Sequence, residues 1–477
     1  MTASQAISID RPRSTARPIS MILSLLSSDV IALLISVAIS IGVKALVDHQ
    51  VHISSYIRLA PLLLVFLSIY AMMGLYSGVA MGPPEEIRRA TISSSGLFLL
   101  LAAMTVSWRG AAQVFTWTFF LALVLSVVLV PLSRGAVRLF LSRREWWGYP
   151  TVVIGAGETG RMALRAIHQQ PGLGLKPIAV VDPNSFAREL YGVPVYRSMN
   201  TISSLVSKES AAYAIVAMPE NMSGDFMRFI EQNVVPHFAH VLVIPSLFSW
   251  SHLWMRPKSL GNMLGLEMPQ TSRSGHEFFK RLLDVVVSGG LMLFLAPLFV
   301  GVALAIKVDS PGPALFGHRR IGRRGSFFQA WKFRTMLMHG DEILKRHLSD
   351  NEEARAEWER DHKLKNDPRV TRVGRLLRKT SLDELPQLWN VLKNEMSLVG
   401  PRPIVQAEVS RYGASFSEYT RVKGGLTGLW QVSGRNDTTY DERVRLDTMY
   451  VRNRSVWLDL FILYRTVGVV LFGSGAY

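Results

Sequence analysis

Four long apolar runs, separated by short polar stretches, fill most of the first 133 residues. Residues 20–43, SMILSLLSSDVIALLISVAISIGV, hold a single acid, Asp29, and residues 59–76, 92–108 and 114–133 are similarly long and apolar. Each run can cross about 30 Å of hydrocarbon as a helix of about 20 residues. Three comparable runs after the first make it a span and not a cleaved signal peptide. Arg11, Arg13 and Arg17 precede the first run, Arg88 and Arg89 lie between the second and third, and Arg134, Arg138, Arg143 and Arg144 follow the fourth. The positive-inside bias therefore predicts four transmembrane helices over residues 1–147, with both ends cytoplasmic.

From residue 148 the pattern changes to short apolar blocks. PTVVIGAG, KPIAVVDP, AAYAIVAMP and HVLVIPS read as buried parallel strands separated by helical stretches, an α/β domain over 148–254. Residues 255–276 contain Pro, Gly and Ser without clear period and read as a linker into a last domain, 277–477. That domain opens on another spanning-length apolar run, 285–306. Lys280 and Arg281 flank one end, while Lys307, Arg319, Arg320, Arg323 and Arg324 follow the other. Both flanks favour the cytoplasmic face, which one crossing cannot satisfy. Pro297, near the middle, removes a backbone donor and kinks or breaks a helix. A helix over 278–308 that enters, bends at Pro297 and leaves by the same face reconciles these features. A fifth crossing helix with a modest proline kink is the alternative. The fold class expected is a membrane protein, α plus α/β. It combines a four-helix transmembrane bundle, a Rossmann-like α/β domain, and a mainly helical last domain with a re-entrant membrane helix.

Composition narrows the partners. A net charge of +17 on a chain that is 49% hydrophobic points to anionic partners at a membrane surface, lipid headgroups or phosphates, ahead of nucleic acid. The chain has no Cys, which excludes disulfides, zinc–cysteine sites and thiol nucleophiles.

One motif invites an oxidoreductase reading. In TVVIGAGETGRMALRAI, Gly155, Gly157 and Gly160 form G-x-G-x-x-G between a strand-like and a helix-like run, and Asp182 ends the next strand. This is the local context of a dinucleotide-binding turn, with the acid placed for a ribose. Glycines of this spacing also serve the turn and helix packing alone, so a nucleotide here stays open. A Tyr-x-x-x-Lys pair that a dehydrogenase would need occurs only as Tyr419 and Lys423, in another domain.

The last domain offers a better chemical site. HRRIGRRGSFFQAWKFRTM carries Arg319, Arg320, Arg323, Arg324, Lys332 and Arg334 with no acid among them, directly after the membrane run. Headgroup or phosphate contact is the reading that placement favours. Residues 337–368 are highly charged at helical spacing and read as a solvated surface element. Further on, Arg369, Arg372, Arg375 and Arg378 recur every third residue, then Lys379 precedes the adjacent acids Asp383 and Glu384. A site transferring a phosphate-linked group needs cations for the phosphates, a carboxylate to bind Mg²⁺ or attack phosphorus, and often a second carboxylate as base. Arg378, Lys379, Asp383, Glu384 and Arg402 supply those types within 25 positions. The surrounding positive charge is expected to keep both acids ionised. A surface salt-bridge network is the structural alternative.

The motifs KRLLDVVVSGG, SPGPALFGHRRIGRRGSFFQAWKFRTM, KTSLDELPQLWNVLKNEMSLVGPRP and KGGLTGLWQVSGRND together resemble the bacterial sugar transferase family, the monotopic polyprenyl-phosphate phosphoglycosyl transferases. With the leading spans and the α/β domain, the chain is similar to the large, WbaP-type members, undecaprenyl-phosphate galactose phosphotransferases. The resemblance implies a re-entrant helix, an active site on the cytoplasmic face of the bacterial inner membrane, and a two-step reaction. Asp383 would attack the sugar-linked phosphate of a UDP-sugar and release UMP, with Glu384 as its acid/base neighbour and Mg²⁺ neutralising the diphosphate. Undecaprenyl phosphate would then collect the phospho-sugar and begin a surface polysaccharide such as O-antigen, capsule or exopolysaccharide. Arg378 and Arg402 would contact phosphate or nucleotide, and Lys280, Arg281 and Asp284 match the family's lead-in to the re-entrant helix. Many members place Ser before the helix-breaking proline, where this chain has Ala296. Arg435 and Asp437 either shape the sugar or uridine pocket or cap a turn. The middle domain becomes a regulatory or assembly module, and a homodimer is expected from the large members.

Overall fold

The computed structural model describes residues 18–472 apart from 48–55, 58, 77–78, 80, 108–111, 200, 203–204, 207–210, 218–229, 231, 245–255, 261–262, 268–272, 362–363, 365–366 and 434–438. Arg11, Arg13, Arg17, Arg435 and Asp437 thus lie outside the described residues. The chain divides into two compact units, Met1–Phe248 and Ser249–Tyr477.

The first unit begins with α1 (Pro18–Val47), α2 (Leu62–Met72), α3 (Pro83–Ser107) and α4 (Ala112–Leu141). Three helices among the described residues, Pro18–Val47, Pro83–Met104 and Trp117–Leu141, are long and apolar enough to cross a membrane. Within the second expected span, 59–76, α2 has 11 residues, about 16 Å at 1.5 Å per residue. Its far end closes in a Schellman turn. Gly74 takes φ 72°, its N–H donates to Ala71 O, and Leu75 N–H reaches back to Tyr70 O at 3.0 Å. Apolar residues continue past that glycine, so hydropathy alone overestimates the helix. Phe66, Tyr70 and Leu75 pack with Met21, Leu25 and Phe98 into one core. Asp29, the lone acid of α1, is buried and accepts a fork from Arg134 at 2.8 and 3.0 Å. Arg134 also donates to Glu86 at 2.7 Å. Arg134 is therefore an internal tie between α1, α3 and α4, with its charge neutralised inside the protein.

The α/β part contains β1 (Tyr149–Ile154), α5 (Glu158–Gln169), β2 (Leu175–Val181), β3 (Glu189–Leu190), β4 (Val193–Tyr196), β5 (Tyr213–Ala217) and β6 (His240–Ile244). They form one sheet of order β3-β4-β2-β1-β5-β6, parallel except for the short β3–β4 pair. Alternation along β1 serves two cores: Val152 and Ile154 enter one, and Val153 enters the other with Leu164 of α5. In the glycine turn, Gly155 takes φ 102°. A Cβ on Gly160 would overlap the Gly155 carbonyl oxygen, so Gly160 is required for the helix to leave the turn. Asp182 folds back onto the same turn, accepting Ala156 N–H at 2.7 Å and Asn184 N–H at 2.9 Å. Both oxygens of the acid expected at a ribose thus bond the domain's own backbone.

In the second unit, the expected linker holds a hairpin, β7 (Arg256–Leu260) with β8 (Met263–Glu267), paired up to Leu260 and Met263. The Gly261–Asn262 step between them is a two-residue hairpin signal that the absence of period concealed. The apolar run beyond it forms α6 (Arg273–Phe294) and α7 (Ala296–Asp309). They are bent by 61° at the break between them. Pro297 sits in the first turn of α7, where its missing donor costs nothing.

The elements that follow include β9 (Leu315–Ile321), β10 (Phe327–Phe333), α8 (Gly340–Asp350), α9 (Glu352–Asp361), α10 (Arg372–Thr380), α11 (Gln387–Leu392), β11 (Ser397–Val399), β12 (Gly425–Thr427), α12 (Leu429–Ser433), α13 (Tyr440–Asn453) and α14 (Val456–Phe472). Three residues expected to open the bent helix fix α6 to this domain. Lys280 donates to Asp459 at 2.8 Å and to Val399 O at 2.9 Å. Arg281 caps the end of α11 through Val391 O and Leu392 O at 2.7 and 2.8 Å. Asp284 accepts Leu398 N–H at 2.9 Å and the Ser397 hydroxyl at 3.1 Å. Asp284 is 3% exposed, so Asp284→Ala strands two buried donors. A loss of about 1–3 kcal/mol is expected, read as a lower Tm of the detergent-solubilised protein; an unchanged Tm would show that these bonds carry no stability.

Candidate active site

The two acids stand on a strained turn. Helix α10 ends at Ser381, whose φ of 56° is left-handed, a conformation costing a non-glycine residue about 1–2 kcal/mol. This reversal starts the single turn Leu382–Glu384, which runs into α11. Asp383 and Glu384 are thereby held beside β10. The clamp on the other side is Asn390 of α11, fully buried. Its Oδ1 accepts Trp331 N–H at 3.0 Å, while its Nδ2 donates to Gln329 O at 2.7 Å and to Glu395 at 2.6 Å. Bonding the edge of β10 in this way sets Lys332 against the acids.

Lys332 Nζ donates to Glu384 Oε1 at 2.7 Å and stands 3.6 Å from Asp383 Oδ2. Arg402 approaches the same Glu384 oxygen at 3.7 Å. Arg402 arrives through a close backbone packing: a Cβ on Gly425 would overlap Gly400 N, and Gly425 N–H donates to Pro401 O at 2.8 Å. Arg320 comes from β9, whose end is tied to the same loop by Ile321 N–H to Ile404 O at 2.9 Å. Its own guanidinium donates to Pro403 O at 3.1 Å. The result is a cleft whose lining includes Arg320, Lys332, Glu384, Gln387, Arg402 and Gln431.

The two carboxyls differ sharply. Burial raises the Asp383 pKa, and the neighbouring Glu384 charge adds to that, against the pull of Lys332 and Arg378. Burial opposes ionisation of Glu384 too, but Arg402, Lys332 and Arg320 overcome it and lower its pKa to about 2. The shared positive charge thus favours Glu384 over Asp383, because Lys332 and Arg402 both sit closer to it. Arg320 has its own pKa lowered by burial and by Arg402, the signature of more cations than acids in one place.

Other sequence candidates lie differently. Arg378 donates to Thr335 Oγ1 at 3.0 Å and stays close enough to Asp383 to favour its charge. Lys379 is exposed in the last turn of α10. Arg334, expected to bind substrate, is buried and donates to Ser310 O at 2.7 Å and Pro311 O at 2.9 Å, closing the end of α7. A basic residue in a motif looks the same in sequence whether it faces a phosphate or a helix C-terminus. Tyr419 donates to Ile321 O and accepts Ile404 N–H, both at 3.1 Å, so the dehydrogenase-like pair is part of this scaffold. Arg320 was visible only as one arginine in a basic run. Gln387, Asn390 and Gln431 carried no signal of their own.

Among the described residues, no group of three or more His, Asp or Glu is arranged to hold a metal ion. Mg²⁺ commonly binds through one or two carboxylates plus substrate phosphates. The adjacent Asp383 and Glu384 fit an ion of that kind, brought in with a diphosphate.

A cation-rich cleft with paired acids, set beside a bent apolar helix pair, defines a membrane-associated transferase of phosphate-linked groups. Residues 275–473 match the family described as Bacterial sugar transferase, and residues 71–245 match one described as CoA-binding domain. The chain is 38% identical over 394 residues to the UDP-galactose-lipid carrier transferase of Erwinia amylovora, covering 80% of each chain. It is 38% identical over 406 residues to the undecaprenyl-phosphate galactose phosphotransferase of Salmonella typhimurium, covering 82% of each. A more distant relative is the UDP-glucose:undecaprenyl-phosphate glucose-1-phosphate transferase of Escherichia coli, 30% identical over 383 residues, 76% of this chain and 77% of that one. The chain belongs to the bacterial sugar transferase family.

Proposed function

We propose that the chain transfers a hexose-1-phosphate, galactose-1-phosphate foremost, from a UDP-sugar to undecaprenyl phosphate, releasing UMP and initiating a surface polysaccharide. The observation that carries this reading is Lys332, which stands 2.7 Å from Glu384 and 3.6 Å from Asp383 at the wall of a cleft that Arg402, 3.7 Å from Glu384, also lines. The two relatives named for galactose carry the choice of sugar over glucose.

In the first half-reaction, an Asp383 carboxylate oxygen forms a bond to the sugar-linked phosphorus. The bond from that phosphorus to the bridging oxygen breaks, and its electron pair leaves with UMP. In the second, a phosphate oxygen of undecaprenyl phosphate attacks the same phosphorus and returns the Asp383 carboxylate. Lys332, Arg402 and Arg320 bind the phosphate oxygens and stabilise charge that grows on the leaving group. Glu384, a carboxylate down to about pH 2, acts as the fixed anion that positions Lys332 and Arg402, a role favoured over proton transfer at neutral pH. Mg²⁺ held by Asp383 or Glu384 would supply neutralisation of the diphosphate.

Polyprenyl acceptor and catalytic cleft meet most simply if α6 and α7 dip into the cytoplasmic leaflet of the inner membrane and return, with the 61° bend at the turning point. The α/β part is then a regulatory or assembly module, consistent with Asp182 satisfying the glycine turn from within, and a homodimer is its natural setting. Purified protein given radiolabelled UDP-sugars, Mg²⁺ and undecaprenyl phosphate is expected to yield UMP and a chloroform-extractable sugar lipid, fastest with UDP-galactose. Release of free sugar phosphate without a lipid product would overturn the reading, and faster turnover of UDP-glucose would overturn the sugar.

A further inference from the structure

The cleft contains one polar group that phosphate chemistry leaves unexplained. Gln431, in α12, directs its Nε2 to Leu426 O at 3.2 Å, and that carbonyl fixes which end of the amide is which, since the opposite orientation would face two acceptors. Its Oε1 is buried and has no hydrogen-bond partner among the described residues, although the side chain lines the cleft. The cationic neighbours are engaged elsewhere: Lys332 with the two acids, Arg402 with Glu384, and Arg320 with Pro403 O and Glu408. An acceptor left buried without a donor costs about 1–3 kcal/mol, so its retention at a cleft wall points to a partner that arrives with the ligand.

We propose that Gln431 is a recognition residue for the nucleotide-sugar, its Oε1 accepting a hydrogen bond from a hydroxyl of the sugar or ribose. The inference rests on the transferase reading given above. Ionised phosphates carry no donor, and a polyprenyl chain has none, so an acceptor here selects neither the diphosphate nor the lipid. Hydroxyls are the abundant donors of a UDP-sugar. The three cations would hold the phosphates, and Gln431 would test what is attached to them. A site built to bond a substrate hydroxyl rejects analogues lacking it, because the acceptor is then left unpaired.

The test is Gln431→Met, which keeps length and removes the acceptor. The full-length enzyme is assayed with UDP-galactose, with UMP as product inhibitor, and with single-deoxy UDP-sugars. KM for UDP-galactose is expected to rise roughly 10- to 100-fold with a smaller change in kcat. The wild-type penalty for one deoxy position should vanish in the variant. If UMP inhibition weakens in parallel and the lost penalty is that of a ribose deoxy position, the contact is on the ribose; if inhibition is unchanged and the lost penalty is that of a hexose deoxy position, the contact is on the sugar; both support the proposal. Unchanged KM, UMP inhibition and deoxy discrimination would overturn it. Should Gln431→Met melt well below the wild type, Gln431→Asn, which withdraws the amide by one methylene, is read the same way. A parallel Asp383→Asn sample separates the two claims: loss of turnover there with an unaltered Gln431→Met defeats only this inference.

Discussion

Asp383→Asn is expected to lower kcat by roughly 10⁴-fold or more, leaving binding of the UDP-sugar within about tenfold. Asn is close in shape to Asp, so the turn begun at Ser381 and the Asn390 clamp have no reason to move. What disappears is the nucleophilic oxygen. The neighbouring Glu384 cannot replace it, because Lys332 at 2.7 Å and Arg402 at 3.7 Å hold that carboxylate away from attack. Glu384 ionises at about 2, so its electron pairs are strongly stabilised by those cations and correspondingly poor in nucleophilicity. Steady-state kinetics with equilibrium binding of the UDP-sugar separates the two effects. A variant with loss confined to KM would place Asp383 in binding and not in chemistry.

Lys332→Met carries the second largest expected effect, a fall of roughly 10²- to 10³-fold in kcat/KM from losing one preorganised charge at the developing anion. It also has a pH signature. Burial already holds the Asp383 pKa above its usual value, and Lys332, 3.6 Å away, is the largest opposing influence. Asp383 acts ionised, so activity falls as pH drops through its pKa. Removing the ammonium disfavours the ionised form further, raises that pKa and moves the acid limb of kcat/KM to higher pH. Raising the pH should then recover part of the lost rate. In the wild type Glu384 titrates too low to contribute to that limb, and in the variant Arg402 and Arg320 still act to lower it. A limb that stays in place, or moves to lower pH, would mean that Lys332 and Asp383 are not coupled.

Much of this site was legible as residue types and little of it as partnerships. Asp383, Glu384, Arg378 and Arg402 fall within 25 positions and declare a phosphate chemistry together. The decisive pairing, Lys332 with the two acids, joins residues about fifty positions apart and depends on Asn390 bonding the edge of β10. Gln431 is silent in sequence because an unpaired amide is defined by what surrounds it. Charge patterning also stopped short in two places. The positive surroundings were expected to keep both acids ionised; what the sequence does not show is that the cations lie nearer Glu384, while burial raises the pKa of Asp383. Arg334 shared a motif with Lys332 yet closes a helix end. Among the apolar runs, 20–43 and 114–133 fall within long helices, whereas 59–76 shortened to Leu62–Met72 at a glycine turn that hydropathy does not weigh. The glycine fingerprint correctly marked a strand, a turn and a helix. Its acid bonds that turn, an arrangement no spacing rule distinguishes from a ribose contact.

If Asp383 carries the sugar phosphate between donor and acceptor, the enzyme mixed with UDP-galactose in the absence of undecaprenyl phosphate holds it covalently. Mass spectrometry of the intact enzyme and of its peptides is expected to show a gain of one hexose phosphate on the peptide containing Asp383, with one equivalent of UMP released, and neither in Asp383→Asn. UMP appearing only when the lipid acceptor is present, with no adduct at any time, would contradict it.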